Sequence, residues 1–294
     1  MTIQNKREMA FRSWYLFVVC LFTSLFILNA GIASAADEQR DDLPARYSKD
    51  HDAFHSYLPT YIGWTAAHSD SANQGELKLQ FSVKFEVVEE TDWYFGYTQK
   101  SFWSIQKESS PFRETNYSPE VFWIYKRSGL SWLPVIQAGV FRHESTGESG
   151  VGSRGWDITY LEPAFYWKGL YIMPRVWVPS IVQGFNEKKA AQDNPDIFRY
   201  YGYGKLTVMY GSKSPVQLAL SLQHAPIDDT ITWEGQLDVS WMSIAEMLNS
   251  IFGFNHSPKW NPQYFVQARN GYGEGLKTYN VKTSSIVVGI SFVR

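Results

Sequence analysis

Leu77-Lys78-Leu79-Gln80-Phe81-Ser82-Val83-Lys84-Phe85-Glu86-Val87 is the stretch that decides the fold. Leu77, Leu79, Phe81, Val83, Phe85 and Val87 are apolar, and every residue between them is polar or charged. Successive side chains of an extended chain point to opposite faces, so this alternation predicts a strand with one apolar and one polar face. Shorter copies of the pattern follow at Leu206/Val208/Tyr210, Leu218/Leu220/Leu222, Leu237/Val239/Trp241 and Ile286/Val288/Ile290/Phe292. Among the mature residues only Ile244 to Phe252 offers an amphipathic helix of ordinary length.

Outward from that core of strands, the chain divides into three parts. Lys6, Arg7 and Arg12 precede an almost wholly apolar run from Trp14 to Leu28, and Ala33-Ser34-Ala35 supplies small residues for a signal peptidase. Residues 1–35 therefore read as a signal peptide cleaved after Ala35. The run is shorter than the roughly 20 residues that a spanning helix needs. Cys20, the one cysteine of the 294-residue chain, lies within it, so the exported part is expected to lack thiols and disulfides. Residues 36–58 are polar, without sustained periodicity, and read as a surface arm. His51 and His55 stand four apart in it but have no third ligand pattern beside them, which leaves them as ordinary arm residues. Residues 59–294 are the β domain.

Two architectures suit an exported, thiol-free, all-β chain: a soluble sandwich or barrel with an apolar core, and a membrane barrel with its apolar faces turned to lipid. Periodicity does not separate them. Aromatic residues make up 17% of the chain, rich in tryptophan and tyrosine, as in the girdles at membrane interfaces. Tyr94, Phe95, Trp103, Trp123, Tyr166, Trp167, Tyr171, Trp177, Tyr200 and Tyr201 fall near apparent strand ends. Many segments have the roughly ten residues that a tilted strand needs to cross a bilayer, and closure satisfies every strand amide in hydrocarbon. These features favour the membrane barrel. A formal net charge of -2 and scattered basic residues give no reason to expect a nucleic-acid partner.

Phe141-Arg142-His143-Glu144-Ser145-Thr146-Gly147 places a histidine and a serine on one face of an extended chain, within the reach a general base needs. With a turn centred near Gly150, Asp157 falls opposite His143 and can hold the other imidazole nitrogen. A chance His-x-Ser at a strand end remains the bland alternative.

Several runs together resemble the outer-membrane phospholipase A family. They are His143-Glu144-Ser145-Thr146-Gly147, Ser153-Arg154-Gly155-Trp156, Glu108 to Tyr117, Tyr97-Thr98-Gln99-Lys100-Ser101, Asp193-Asn194-Pro195-Asp196-Ile197 and Gly271-Tyr272-Gly273-Glu274. The resemblance implies a twelve-stranded antiparallel transmembrane β-barrel in a bacterial-type outer membrane. It implies hydrolysis of phospholipid acyl esters, with A1, A2 and lysophospholipase activity.

By resemblance Ser145 is the nucleophile, His143 the base and Gly147 an oxyanion donor. Asp157 stands where the family usually has asparagine. A catalytic Ca2+ is implied, held by Ser153, the Glu148 carbonyl and Ser109 from a second protomer of a homodimer. Asp193 matches a carboxylate of the monomer's calcium site, whose expected companion is Gly150 here. Gln99 matches a polar residue of the dimer interface. A passive porin and a catalytically inactive barrel of the same family are the competing functions, since strand alternation alone serves all three.

Overall fold

In the computed structural model of the chain, the described residues are 43–47, 55–88, 91–126, 132–133, 135–180, 193–212, 214–253 and 262–293. Residues 1–35, Cys20 and His51 lie outside them. Alternating sequence becomes thirteen strands. They are β1 (His55–Ser56), β2 (Thr60–His68), β3 (Leu77–Glu86), β4 (Trp93–Trp103), β5 (Phe112–Lys126), β6 (Val135–Ser145) and β7 (Gly155–Trp167). Next come β8 (Leu170–Pro179), β9 (Gly204–Tyr210), β10 (Val216–Ala225), β11 (Thr230–Ser240), β12 (Gln263–Gly271) and β13 (Thr283–Val293). Among the described residues two α-helices, α1 (Ile197–Tyr201) and α2 (Trp241–Phe252), interrupt the series. The second contains the helix expected at Ile244 to Phe252.

Strands β2 to β13 form a closed antiparallel barrel of twelve strands, each paired with its sequence neighbours and β13 paired back onto β2. Closure leaves no long unpaired edge, the condition for a sheet in hydrocarbon. Strand β1 lies beside β3, pairing His55 with Lys84 and Ser56 with Val83.

The alternation sorts as a membrane barrel requires, apolar outside and polar inside. Phe81, Leu218, Leu220, Val288 and Phe292 are exposed on the outer wall. Lys78, Ser82, Lys84, Glu114, Asn116, Glu120, Gln137, Glu162, Asp238 and Arg269 are buried within. Hydrogen bonds link several of them to other lumen residues: Lys78 Nζ donates to Gln267 Oε1 at 2.6 Å, and Tyr160 Oη to Glu120 Oε2 at 2.6 Å. At the inward position 139 a Cβ would stand 2.0 Å from the Tyr160 ring, so only glycine fits there.

Two expectations are corrected here. The described part of the 36–58 stretch is inside the barrel, not on its surface. Tyr47 is fully buried, with its hydroxyl 2.7 Å from Glu162 Oε1, and Arg46 reaches the same oxygen at 3.1 Å. Tyr57 stacks on Phe122 at 4.9 Å and accepts from Gln137 Nε2 at 2.6 Å. Polarity suggested solvent, but a polar lumen offers polar residues equally good partners. His55 is likewise buried, in β1. The second correction concerns the aromatics: Tyr94, Tyr171, Trp177 and Tyr201 are buried inside, whereas the exposed Trp93 and Trp167 lie at strand ends as girdle residues do. Composition counts aromatics without showing which face each takes.

Candidate active site

The β6–β7 hairpin carries the sequence-predicted residues at the barrel end where loops 146–154 and 272–282 gather. Its geometry depends on one extra residue. Gly139 pairs with Tyr160 and Arg142 with Ile158, so β6 spends one residue more than β7 between these pairs. Against β5, Val121 pairs with Phe141 and Phe122 with Gly139, which identifies Val140 as the bulged position. Thr159 Oγ1 donates to the Val140 carbonyl at 2.8 Å and ties the bulge down. A bulge shifts the facing of every later side chain. Gln137 and Gly139 point into the lumen before it; after it Arg142 and Glu144 point inward, and His143 and Ser145 point outward.

Asp157, directly opposite His143 in the register, shares that outer face. Its Oδ1 lies 2.6 Å from His143 Nδ1, with the imidazole 34% exposed and the carboxylate 13%. An ionised carboxylate only accepts, so Nδ1–H donates and Nε2 is left with its lone pair free. Ser145 pairs with Gly155 across the hairpin. Among the described residues no hydrogen bond joins Ser145 Oγ to the imidazole. A Cβ placed on Gly155 would lie 3.6 Å from Ser145 Cβ and 3.8 Å from His143 Cε1, so the serine and the Cε1 corner of the imidazole border the same spot. Glycine keeps the ground between them bare.

On the lumen side, Trp156 Nε1 donates to Glu144 Oε2 at 3.1 Å and packs edge-on against Tyr201 at 5.0 Å and Trp177 at 6.2 Å. The hairpin is thus held from behind while its front faces outward.

Loop 146–154 folds back on Thr146, whose amide donates to the Arg154 carbonyl at 3.0 Å and whose hydroxyl donates to the Gly152 carbonyl at 3.0 Å. Gly147 takes φ +67°, and a Cβ there would approach Tyr117 Cε2 to 2.8 Å. Both the left-handed backbone and the contact require glycine. Among the described residues nothing accepts the Gly147 N–H, which leaves it a donor for a ligand.

Ser153 Oγ donates to Asp193 Oδ2 at 2.5 Å, and Asn194 Oδ1 accepts from the Gly155 amide at 2.9 Å. The 193–194 pair therefore clips the hairpin at two points. Glu148 sends its carboxylate to Lys277 Nζ at 2.6 Å. Ser109 sits apart, in the exposed β4–β5 loop at φ +62°. Gln99 lies on the outer wall, in register between Phe81 and Tyr117, accepting from Tyr97 Oη at 3.0 Å.

The donors near the loop are a serine hydroxyl, a carboxylate and backbone carbonyls, the hard oxygens that calcium prefers. Because Ser153 gives its proton to Asp193, the hydroxyl lone pairs stay available, so these residues fit the ion. Gly150 has nothing within 4 Å of a Cβ, and among the described residues no cluster of three or more His, Cys, Asp or Glu forms.

Sequence reading missed Asn194 and Lys277 as supports of the hairpin, although it singled out the run containing Asn194. Their partners lie 39 residues away for Asn194 and more than a hundred for Lys277, and no local pattern announces such contacts.

A closed antiparallel barrel with a polar lumen and an apolar outer wall defines an outer-membrane β-barrel protein. The chain belongs to the phospholipase A1 family, a family of phospholipid-hydrolysing esterases, whose model matches residues 52–292. It is 28% identical to the phospholipase A1 of Klebsiella pneumoniae over 93% of this chain and 96% of that one. It is 32% identical to a putative phospholipase A1 of Neisseria meningitidis over 74% of this chain, a match that spans 55% of that relative's length. The fold is that of the outer membrane phospholipase A of Escherichia coli, with a TM-score of 0.66 at 24% identity, covering 84% of this chain and 95% of that one. The outer membrane phospholipase of Salmonella typhi, solved as a dimer with bound calcium, matches at a TM-score of 0.65 and 25% identity.

Proposed function

We propose that this chain hydrolyses phospholipid acyl esters in the outer membrane through Ser145, His143 and Asp157, as a calcium-dependent homodimer. The observation that carries the reading is the 2.6 Å contact between His143 and Asp157 on the outer wall, with Ser145 two residues away on the same face. A lipid reaches such a site by lateral diffusion and never has to leave the bilayer.

His143 Nε2 takes the Ser145 hydroxyl proton as Oγ attacks the ester carbonyl, and Asp157 stabilises the imidazolium that forms. The Gly147 N–H donates to the developing oxyanion. His143 returns the proton to the departing alkoxide, which leaves as a lysophospholipid. Water then attacks the acyl-serine with His143 again as base, releasing the fatty acid and restoring the Ser145 hydroxyl. Hydrogen bonds between nucleophile and base are often formed only once substrate is bound, which agrees with the free Ser145 seen here.

Calcium would be held by the Ser153 hydroxyl, the Glu148 carbonyl and Ser109 of the partner subunit, with Asp193 alongside, and when bound it supplies Lewis-acid polarisation of the ester carbonyl. Gln99, with Tyr97, puts polar groups on a lipid-facing wall, where hydrogen bonding to a second barrel supplies specificity. Residues 1–35 would be the leader that directs export, and the described residues 43–47 and 55–58 line the lumen. A passive porin is disfavoured by that lumen, which Arg46, Tyr47 and Tyr57 occupy.

The test is fatty-acid release from phospholipid in mixed micelles by the purified barrel, with calcium and with excess chelator, beside Ser145→Ala. Calcium-dependent release that Ser145→Ala abolishes without changing the fold is expected. Equal rates in the two proteins would reject the serine mechanism, and no release from a folded dimer would leave an inactive barrel.

A further inference from the structure

We infer that Lys277 is a positioning residue that sets the calcium requirement of the site, by bracing the backbone at Glu148 from the β12–β13 loop. The inference rests on the calcium reading above and deepens it. Lys277 Nζ lies 2.6 Å from Glu148 Oε1 and donates to the Arg113 carbonyl at 3.2 Å. One ammonium group thus joins the 146–154 loop to the start of β5, the strand that follows the Ser109 loop.

The base of this brace is rigid. The Lys277 amide donates to Glu114 Oε1 at 2.7 Å, and the Leu276 amide to Asn116 Oδ1 at 3.3 Å. Leu276 is fully buried, and a Cβ on Gly275 would stand 2.3 Å from Glu114 Oε2, so the loop lies pressed against β5. Further along the same loop, the Tyr279 hydroxyl donates to Asp196 Oδ1 at 2.5 Å, beside the Asp193–Asn194 pair that clips Ser153 and Gly155. One short loop therefore touches the Glu148 loop and the segment that carries Asp193, two places that would contribute oxygens to the ion, and is anchored on β5.

Glu148 occupies an exposed loop with a left-handed glycine on either side, Gly147 and Gly150, so its own backbone conformation does little to fix its carbonyl. The ion pair supplies that restraint. Without it the carbonyl must be ordered at the moment the ion binds, and the cost appears as weaker binding.

The experiment titrates calcium into the detergent-solubilised full-length mature barrel, with melting temperature and the dimer fraction from sedimentation as readouts. Wild type, Lys277→Met and Lys277→Arg are compared. Lys277→Met should need about fivefold more calcium at half-response in both readouts, the scale of one lost exposed ion pair, with its calcium-free melting temperature unchanged. Lys277→Arg, which keeps the charge, should stay near wild type. An unshifted midpoint in Lys277→Met overturns the brace while leaving the calcium site intact. Equal impairment of both variants with a lowered calcium-free melting temperature also overturns it, since the lysine would then serve only packing. A wild-type protein that responds to calcium in neither readout rejects the calcium reading itself.

Discussion

His143 and Asp157 face each other as a register pair of β6 and β7, with Nδ1 and Oδ1 2.6 Å apart on the outer wall of the barrel. Because the pair is fixed by the sheet, the orientation of the imidazole does not depend on a flexible loop. The family's usual asparagine would offer a carbonyl oxygen to the same Nδ1–H. Asp157→Asn should therefore keep hydrolysis within about tenfold of wild type, and Asp157→Ala, which leaves the ring unheld, should lose about 100-fold or more in kcat. Initial rates in mixed micelles at saturating calcium check this. An alanine variant as active as wild type would remove Asp157 from the mechanism.

Gly147 and Gly150 form a matched pair of tests. Both adopt left-handed backbone, but only at Gly147 would a Cβ strike a neighbour, the Tyr117 ring. Gly147→Ala should lower kcat by about 10- to 100-fold, as expected when an oxyanion donor is displaced. Gly150→Ala should cost about 1 kcal/mol of stability from backbone strain and leave the rate near wild type. Thermal melts and steady-state rates of the two variants separate the effects; equal rates would show that the Gly147 amide is not used.

Deleting Val140 removes the one residue that β6 spends in excess of β7 and leaves plain alternation, with Gly139 and Arg142 still inward and His143 and Ser145 still outward. Hydrolysis should survive that deletion in a barrel that still folds, as judged by circular dichroism. Inserting one alanine after Val140 adds a step to the alternation and should turn residues 143 and 145 into the lumen, with loss of hydrolysis. In Ser145→Cys, the thiol should react with a lipid-soluble maleimide, and the added insertion, not the deletion, should suppress that reaction. Retained hydrolysis after the insertion would show that register in β6 does not set the facing of the site.

Much of this molecule was legible in its residues because strand alternation is local. Leu77 to Val87 declares a strand whatever surrounds it, and a hairpin centred near Gly150 places Asp157 opposite His143 by counting alone. The arm was misread for a corresponding reason. Arg46, Tyr47 and Tyr57 look like surface residues until Glu162 and Gln137, contributed by β7 and β6, provide polar company inside the barrel. A period of two also cannot reveal where one residue drops out of register.

The sequence by itself determined the all-β architecture, the hairpin and the residue types at its tip, since these follow from side-chain alternation and turn chemistry over a few neighbours. Only the tertiary structure decided that Val140 bulges and turns His143 and Ser145 outward, that Asn194 and Lys277 hold the hairpin, and that the polar arm fills the lumen. Those outcomes depend on strands and loops distant in the chain, and they become definite only when barrel closure brings their partners within hydrogen-bonding distance.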